Sequence, residues 1–485
     1  MSNGNYKREL VSNTMWNALE NYSMIGIQLL CTFLLARYLT PADFGIVGML
    51  VVFTAIAQTF VDSGFGVALI REKEVSQAGY SSVFFLNLFI SLCLYFLLCV
   101  CSGAIANFYH QPILNEICKF SFLVLPLNAL CIVQTTILKR ELRFKKLCVI
   151  TLTAVLLSSI LAIVSAYYLR NVWALVIQNV SLFGFRTLLL WASSRWHPSL
   201  SFSWPLISKY FSFSKNILIA GLVGSVFNNI YSLLIGRFYT ATDLGFYSQA
   251  DRVKNVASHT STSVVQNVTY PILSRVNNEG GNLRNAYKKI ICVTMLFVGC
   301  VMALVTGVAS DLYEVLMGSS VWRQSGFFFL LLSISGILFP LHAVNQNILM
   351  VVGKSKTLMY LEIARRCIMI LILLVTVRYS IAVFVFGNSI YSILLLFLNL
   401  YYCGKPIQYS IAQQLIDVAP ILARQALMII TGIGISYLLS QKSIYFRLLI
   451  SIISMVIIGY YLFRDNEYIK EIKSYVLNKR SFHRK

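Results

Sequence analysis

The chain has 485 residues, 58% of them hydrophobic and 12% charged. Soluble domains carry about 25% charged residues, so this composition excludes an ordinary soluble globule and predicts an all-α polytopic membrane protein. The excess of 40 Lys and Arg over 18 Asp and Glu does not point to nucleic acid, because the charges lie in short clusters between apolar runs. A cytoplasmic membrane surface is the simpler partner for them. The eleven cysteines lie mostly in apolar stretches without CxxC or Cys/His spacing, which predicts no disulfide framework and no metal site. No cofactor motif is present.

In chain order, windows of about 20 apolar residues place fourteen spans, at 14–36, 44–69, 80–106, 114–138, 147–169, 172–192, 214–237, 243–271, 285–310, 325–350, 357–377, 379–402, 417–438 and 445–463. The span at 243–271 is the most polar. The longest connector, 193–213, holds Pro198 and Pro205 and reads as a linker between two halves. The predicted organisation is a six-helix bundle over 1–200, a second over 201–403, two extra helices over 404–463 and a basic cytoplasmic tail over 464–485. With the N-terminus in the cytoplasm, 26 of the 40 Lys and Arg fall in cytoplasmic segments. Seven fall outside, Arg37, Arg237 and Arg447 among them, which supports the count and the orientation. The run KRELRFKK at 139–146 then reads as an ordinary cytoplasmic loop.

A short phrase occurs twice. RYLTPADFG at 37–45 and RFYTATDLG at 237–245 share Arg-x-x-Thr-x-x-Asp-x-Gly. Each copy precedes the second helix of a half. Thr40 or Thr240 is placed to cap that helix, and Asp43 or Asp243 puts negative charge in its first turn. The glycine suits a tight turn or a close crossing. Two six-helix units in the same orientation are parallel repeats, a common plan of secondary transporters.

The polar residues within spans concentrate in the first two helices of each half. Ser248, Arg252, Asn255, His259, Thr262 and Gln266 are spaced 4, 3, 4, 3, 4 along one helix, flanked by Asp251 and Lys254. Two readings stand: polar packing against neighbouring helices, or a water-filled lumen that attracts anions, which the shared Arg and His favour. Span 7 adds Gly221, Ser225, Asn228 and Ser232. Span 1 carries Asn13, Asn17, Glu20 and Gln28, and span 2 carries Thr54, Gln58 and Asp62. Ionisable groups in spans are costly and mark functional paths, so Arg252, Lys254, His259, Asn255, Asn228 and Gln266 are candidate substrate contacts. Glu20 and Asp62 are candidate coupling or cavity acids. Elsewhere Glu362 and Arg366 suit a local i, i+4 pair. Arg186, Arg424 and Lys119 lie where side chains can snorkel. His342, just after Pro340, reads as a satisfied buried histidine. No P-loop, HExxH or GxSxG occurs, and no long outer loop could carry a catalytic site.

The stretches LLARYLTPADFGIVGM, FVDSGFGVALI, IGRFYTATDLGFYSQADRV and YPILSRV resemble the Wzx-type flippases of bacterial polysaccharide export. These form part of the polysaccharide-transporter branch of the multidrug/oligosaccharidyl-lipid/polysaccharide (MOP) superfamily, and the likeness is to its WzxC-like colanic-acid exporter group. It covers roughly 10–460. The resemblance implies two six-helix bundles around a central cavity, with two further helices outside, in the bacterial inner membrane. It implies a substrate, undecaprenyl-diphosphate-linked oligosaccharide, turned between leaflets by alternating access. Membrane lipids, a polysaccharide polymerase and other assembly proteins are the implied partners. The family's arginine in helix 8 corresponds to Arg252 in YSQADRV. Related lipid flippases also use arginines in helix 1, where this chain has Asn17 and Glu20. A cation-coupled exporter of another substrate, a membrane polymerase or ligase, and a purely structural membrane partner are the rival readings.

Overall fold

The computed structural model describes the backbone of residues 3–471 and the side chains of 12–471 other than Val264 and Asn267. Of the predicted basic tail, Lys473, Lys479, Arg480, Arg484 and Lys485 lie outside the described residues. Among the described residues all regular structure is helical. The chain divides into two compact units, Met1–Gly245 and Phe246–Lys485.

The first unit contains α1 (Asn3–Leu35), α2 (Pro41–Asp62), α3 (Phe65–Arg71), α4 (Gln77–Val100), α5 (Ser102–Tyr109), α6 (Leu114–Ser121), α7 (Val124–Arg140), α8 (Phe144–Leu169), α9 (Trp173–Ser193) and α10 (Trp204–Phe238). It also holds the first turn of α11 (Ala241–Asn255). α8 packs between α1 and α9, α7 between α4 and α9, and α10 along α2. With 35 residues, α10 is about 50 Å long at 1.5 Å per residue, well beyond the roughly 30 Å hydrocarbon core.

The predicted linker is fastened down. Residues 194–203 run without helix beside the start of α4, where Trp196 Nε1 donates to Gln77 Oε1 (2.7 Å) and Gln77 Nε2 donates to the His197 carbonyl (2.7 Å). The Ser203 amide donates to Ser82 Oγ at 2.8 Å. These bonds satisfy backbone groups that a loop beside a membrane otherwise leaves unpaired.

Both copies of the repeated phrase form the same cap. The Thr40 amide and hydroxyl donate to Asp43 Oδ2 at 2.8 and 2.7 Å. Their counterparts at Thr240 reach Asp243 Oδ2 at 3.2 and 2.7 Å. Each threonine therefore starts a helix, α2 or α11, with its own amide satisfied by an acid in the first turn. The glycine that ends each phrase lies where these two helices cross. Arg237 donates to the Phe108 carbonyl and stands over the Phe108 ring at 5.1 Å.

The second unit continues α11 and adds a π-helical turn, Val256–Thr260, with α12 (Ser261–Asn278), α13 (Leu283–Gly307), α14 (Ala309–Met317), α15 (Arg323–Val351), α16 (Ser355–Thr376), α17 (Ile381–Gly404), α18 (Ile411–Leu438) and α19 (Ile444–Phe463). α15 is its centre, in contact with α12, α13, α14, α16 and α17. That position explains why Phe328, Phe329, Leu332, Val344 and Ile348 are fully enclosed. α13 is pinned to α18 by Lys288 on Asp417 (2.6 Å), and Tyr409 also donates to Asp417. α14 is pinned to α19 by the buried Asp311–Arg447 pair, with Arg447 Nε at 2.8 Å from Oδ2. Arg447, expected in an outer loop, is 5% exposed.

Twelve helices among the described residues are long and apolar enough to cross a membrane. All fourteen predicted segments are helical, and two of them fall below that criterion. One is α16, whose charges at Glu362, Arg365 and Arg366 interrupt the apolar run. The other, 243–271, is polar and divided by the π turn. Large apolar side chains such as Phe89, Phe96, Val100, Ile160 and Leu371 face outward, as a hydrocarbon solvent requires. The chain is an all-α polytopic membrane protein.

Candidate functional site

The polar stripe lies on α11, the π turn and α12. Its spacing presumes an unbroken α-helix, but the π turn, with i→i+5 bonds, shifts the phase at Val256–Thr260. On one side of it Lys254, 7% exposed, donates to Asp251 Oδ1 at 2.6 Å, and Asn255 Nδ2 donates to Asp251 Oδ2 at 2.9 Å. Asp251 is thus held between a cation and an amide. Ser258 Oγ donates to the Gly336 carbonyl of α15 at 2.6 Å. This side of the segment is the packed one.

Arg252 and His259 are exposed, the second stacked on Phe339 with ring centroids 3.5 Å apart. Gln266 Nε2 donates to the Ala343 carbonyl at 3.1 Å, and Thr262 is fully buried. The structure therefore brings Asp251, Lys254 and Asn255 together as one cluster. It leaves Arg252 and His259 on the accessible side and turns Thr262 inward.

In the first unit, Glu20 is 8% exposed on α1 and accepts from Thr151 Oγ1 of α8 at 2.8 Å. Asp62, at the end of α2, is exposed and accepts from Asn128 Nδ2 of α7 at 3.3 Å. The two acids belong to different helix contacts. Asn228 is exposed on α10, one turn beyond Ser225, whose hydroxyl meets Thr59 Oγ1 at 2.7 Å.

Sequence reading missed how far the polar groups of α15, α16 and α17 are joined. His342 Nε2 meets Ser392 Oγ at 2.9 Å, and Asn399 Nδ2 donates to His342 Nδ1 at 2.9 Å. Arg365 Nη2 donates to Asn399 Oδ1 at 2.7 Å, and Arg365 also pairs with Glu362. This network assigns the His342 proton to Nε2, since Nδ1 accepts. Glu362 takes Arg365 as its near partner, and the expected Arg366 stands at 4.0 Å. His342 is satisfied, as its sequence setting suggested. The i, i+3 and i, i+4 spacings were visible, but the chain separation of 57 residues between His342 and Asn399 hid the rest.

The fold and the polar stripe define a class: a multi-pass helical membrane protein with the architecture of lipid flippases and multidrug transporters. The solved structure described as "Lipid II flippase MurJ, inward closed conformation" superposes with TM-score 0.72 at 13% identity, covering 93% of this chain and 99% of that one. An inward-facing multidrug resistance MATE family transporter of the MOP superfamily superposes with TM-score 0.58 at 15% identity, covering 81% of this chain and 99% of that one. The sequence family described as "Polysaccharide biosynthesis protein" matches residues 34–326, and the chain belongs to that family.

Curated relatives include the teichuronic acid biosynthesis protein TuaB of Bacillus subtilis, 26% identical over 73% of each chain. The succinoglycan biosynthesis transport protein ExoT of Rhizobium meliloti is 25% identical over 69% of this chain and 67% of its own. The lipopolysaccharide biosynthesis protein WzxC of Escherichia coli is 23% identical over 66% of this chain and 65% of its own.

Proposed function

We propose that the protein is a flippase that turns undecaprenyl-diphosphate-linked oligosaccharide repeat units from the cytoplasmic to the periplasmic leaflet of the bacterial inner membrane. It works by alternating access and serves polysaccharide biosynthesis. The observation that carries this reading is the polar α11–α12 segment, which sets Arg252 and His259 on an accessible face in a chain that is otherwise largely apolar. A diphosphate is strongly anionic, and a guanidinium holds its oxygens through paired hydrogen bonds. Sugar hydroxyls suit Asn255, Gln266 and Asn228, and Lys254 adds positive charge. The polyprenyl tail stays in lipid while the headgroup crosses. Glu20 and Asp62 are the acids of the path.

In this reading the repeated phrases open the second helix of two six-helix bundles, 1–200 and 201–403. Helices 13 and 14 and the basic tail are additions, and the N-terminus is cytoplasmic. The protein performs no covalent chemistry, and the polymerase and other assembly proteins act on what it delivers. Deletion in the native host with a leaflet-resolved assay of lipid-linked oligosaccharide tests this. Accumulation on the cytoplasmic side is expected. Accumulation of single repeat units outside overturns it in favour of a polymerase.

A further inference from the structure

The first unit contains a cavity of about 480 Å³ bounded by α2, α3, α7, α9 and α10. Its polar wall includes Asp62, Asn128, Thr135, Lys139 and Arg186. Ile70 of α3 and Ile217 of α10 line the apolar side. Two cations thus share the space with one carboxylate, and both act electrostatically on Asp62. That carboxylate already accepts from Asn128 at 3.3 Å.

Arg186 lines this cavity from α9, and its Nε is shut off from solvent with no hydrogen-bond partner. Thr135 Oγ1, on the same wall, is likewise buried and without a partner. A buried donor left unmade costs about 1–3 kcal/mol, and more when charged. Ionisable groups inside spans are retained where they serve a ligand path. The surplus positive charge of Arg186 and Lys139 beside a single carboxylate calls for an anion with several acceptor oxygens.

We propose that Arg186 and Lys139, with Thr135 and Asn128 beside them, form a binding site for a phosphate-bearing ligand in this cavity. The site is built from residues of the first unit and uses none of the α11–α12 stripe. Arg186 supplies the fork and Lys139 a point charge at the end of α7, while Asp62 limits the net charge to one positive. Only the choice of a diphosphate as the natural ligand rests on the flippase reading. The phosphate chemistry is shared by a prenyl diphosphate and by an anionic phospholipid headgroup.

The test is titration of the full chain in phosphatidylcholine nanodiscs with inorganic diphosphate, followed calorimetrically. Wild type is expected to bind, and Arg186→Gln and Lys139→Gln each to weaken binding by about tenfold or more, the worth of a charge-assisted hydrogen bond. Arg186→Lys is expected to retain part of the affinity, and Asp62→Asn to tighten it. Thermal unfolding and size-exclusion profiles identify variants that have lost the fold. No binding by wild type overturns the proposal, as does unchanged affinity in both Gln variants with the fold intact.

Repeating the titration in nanodiscs with phosphatidylglycerol separates the sources. Arg186-dependent competition assigns the site to lipid headgroups, and its absence assigns the site to a diphosphate. Reconstituted translocation keeps the two readings apart. Diphosphate binding that depends on Arg186, in a protein that moves no lipid-linked oligosaccharide, removes the flippase reading and leaves the site. Translocation unchanged by variants that no longer bind diphosphate leaves the flippase reading and takes the site off its path.

Discussion

Gly45 and Gly245 close the same helix crossing from opposite sides. A Cβ on Gly45 would stand 1.7 Å from the Ala241 carbonyl oxygen, and one on Gly245 would stand 1.8 Å from that of Pro41. Each glycine faces the backbone at the start of the other's helix, so α2 and α11 meet in a reciprocal contact that tolerates no side chain. Small residues let helices approach this closely. The twice-stated phrase is therefore a pair of interlocking corners, each built from a threonine cap, an acid at the third helical position and a glycine at the crossing.

Substituting either glycine is expected to force the helices apart. Gly45→Ala and Gly245→Ala should each destabilise by at least the 1–3 kcal/mol typical of overpacking, since the obstacle is backbone and cannot rotate away. Gly48→Ala is the control, because its Cβ would meet only the Leu244 side chain, at 3.3 Å. Thermal unfolding of the purified variants checks this. Equal midpoints for Gly45→Ala and Gly48→Ala would remove the crossing as a structural element.

The caps, the repeat and most helices were legible because each rests on local chemistry: an apolar run, a Thr–Asp spacing, a recurring phrase. Long-range pairs were not. Arg447 looks like an outer-loop cation in sequence, and only the packing of α14 on α19 brings Asp311 to it from 136 residues away. The polar stripe was legible as composition but not in phase. A π turn leaves no simple mark in residue type, so Thr262 turns inward where the spacing placed it with Arg252. Arg186 reads as a snorkelling residue from its place in the span, and the cavity it lines leaves no mark in sequence.

The Asp311–Arg447 pair makes a stability prediction. Its side chains are 4% and 6% exposed, and two bonds join them. Asp311→Ala leaves a buried guanidinium unpaired and should cost about 3–5 kcal/mol. The double variant Asp311→Leu with Arg447→Met should recover much of that loss, because a buried pair and an apolar pair of similar volume differ little. Fluorescence-detected thermal unfolding in detergent reads both. A double variant no more stable than Asp311→Ala alone would sink the argument.

Arg252 and Lys254 are two residues apart and should fail differently. Arg252 is on the accessible side, so Arg252→Ala is expected to lower glycolipid translocation about tenfold or more while costing less in unfolding midpoint than Lys254→Ala. Lys254 is buried against Asp251 at 2.6 Å, so Lys254→Ala strands a carboxylate and should lower the midpoint as well. The pairing of a transport assay with a melting curve separates them. Full translocation by Arg252→Ala would remove it from the substrate path.

The network in the second unit makes a spectroscopic prediction. Asn399 is the hinge of the chain Arg365–Asn399–His342–Ser392, since its amide gives a proton to His342 Nδ1 while its carbonyl oxygen takes one from Arg365. Asn399→Asp removes the donor and puts an acceptor in its place. The imidazole must then present a proton at Nδ1, either by changing tautomer or by taking up a second proton beside the new carboxylate. The ¹⁵N shift of Nδ1 in selectively labelled protein distinguishes the states: unprotonated in wild type, protonated in the variant. Asn399→Leu removes the partner of both neighbours and should destabilise by about 2 kcal/mol or more, which Asn399→Asp should largely avoid. An Nδ1 that is already protonated in the wild-type protein would overturn the assigned tautomer and with it the Asn399 to His342 bond.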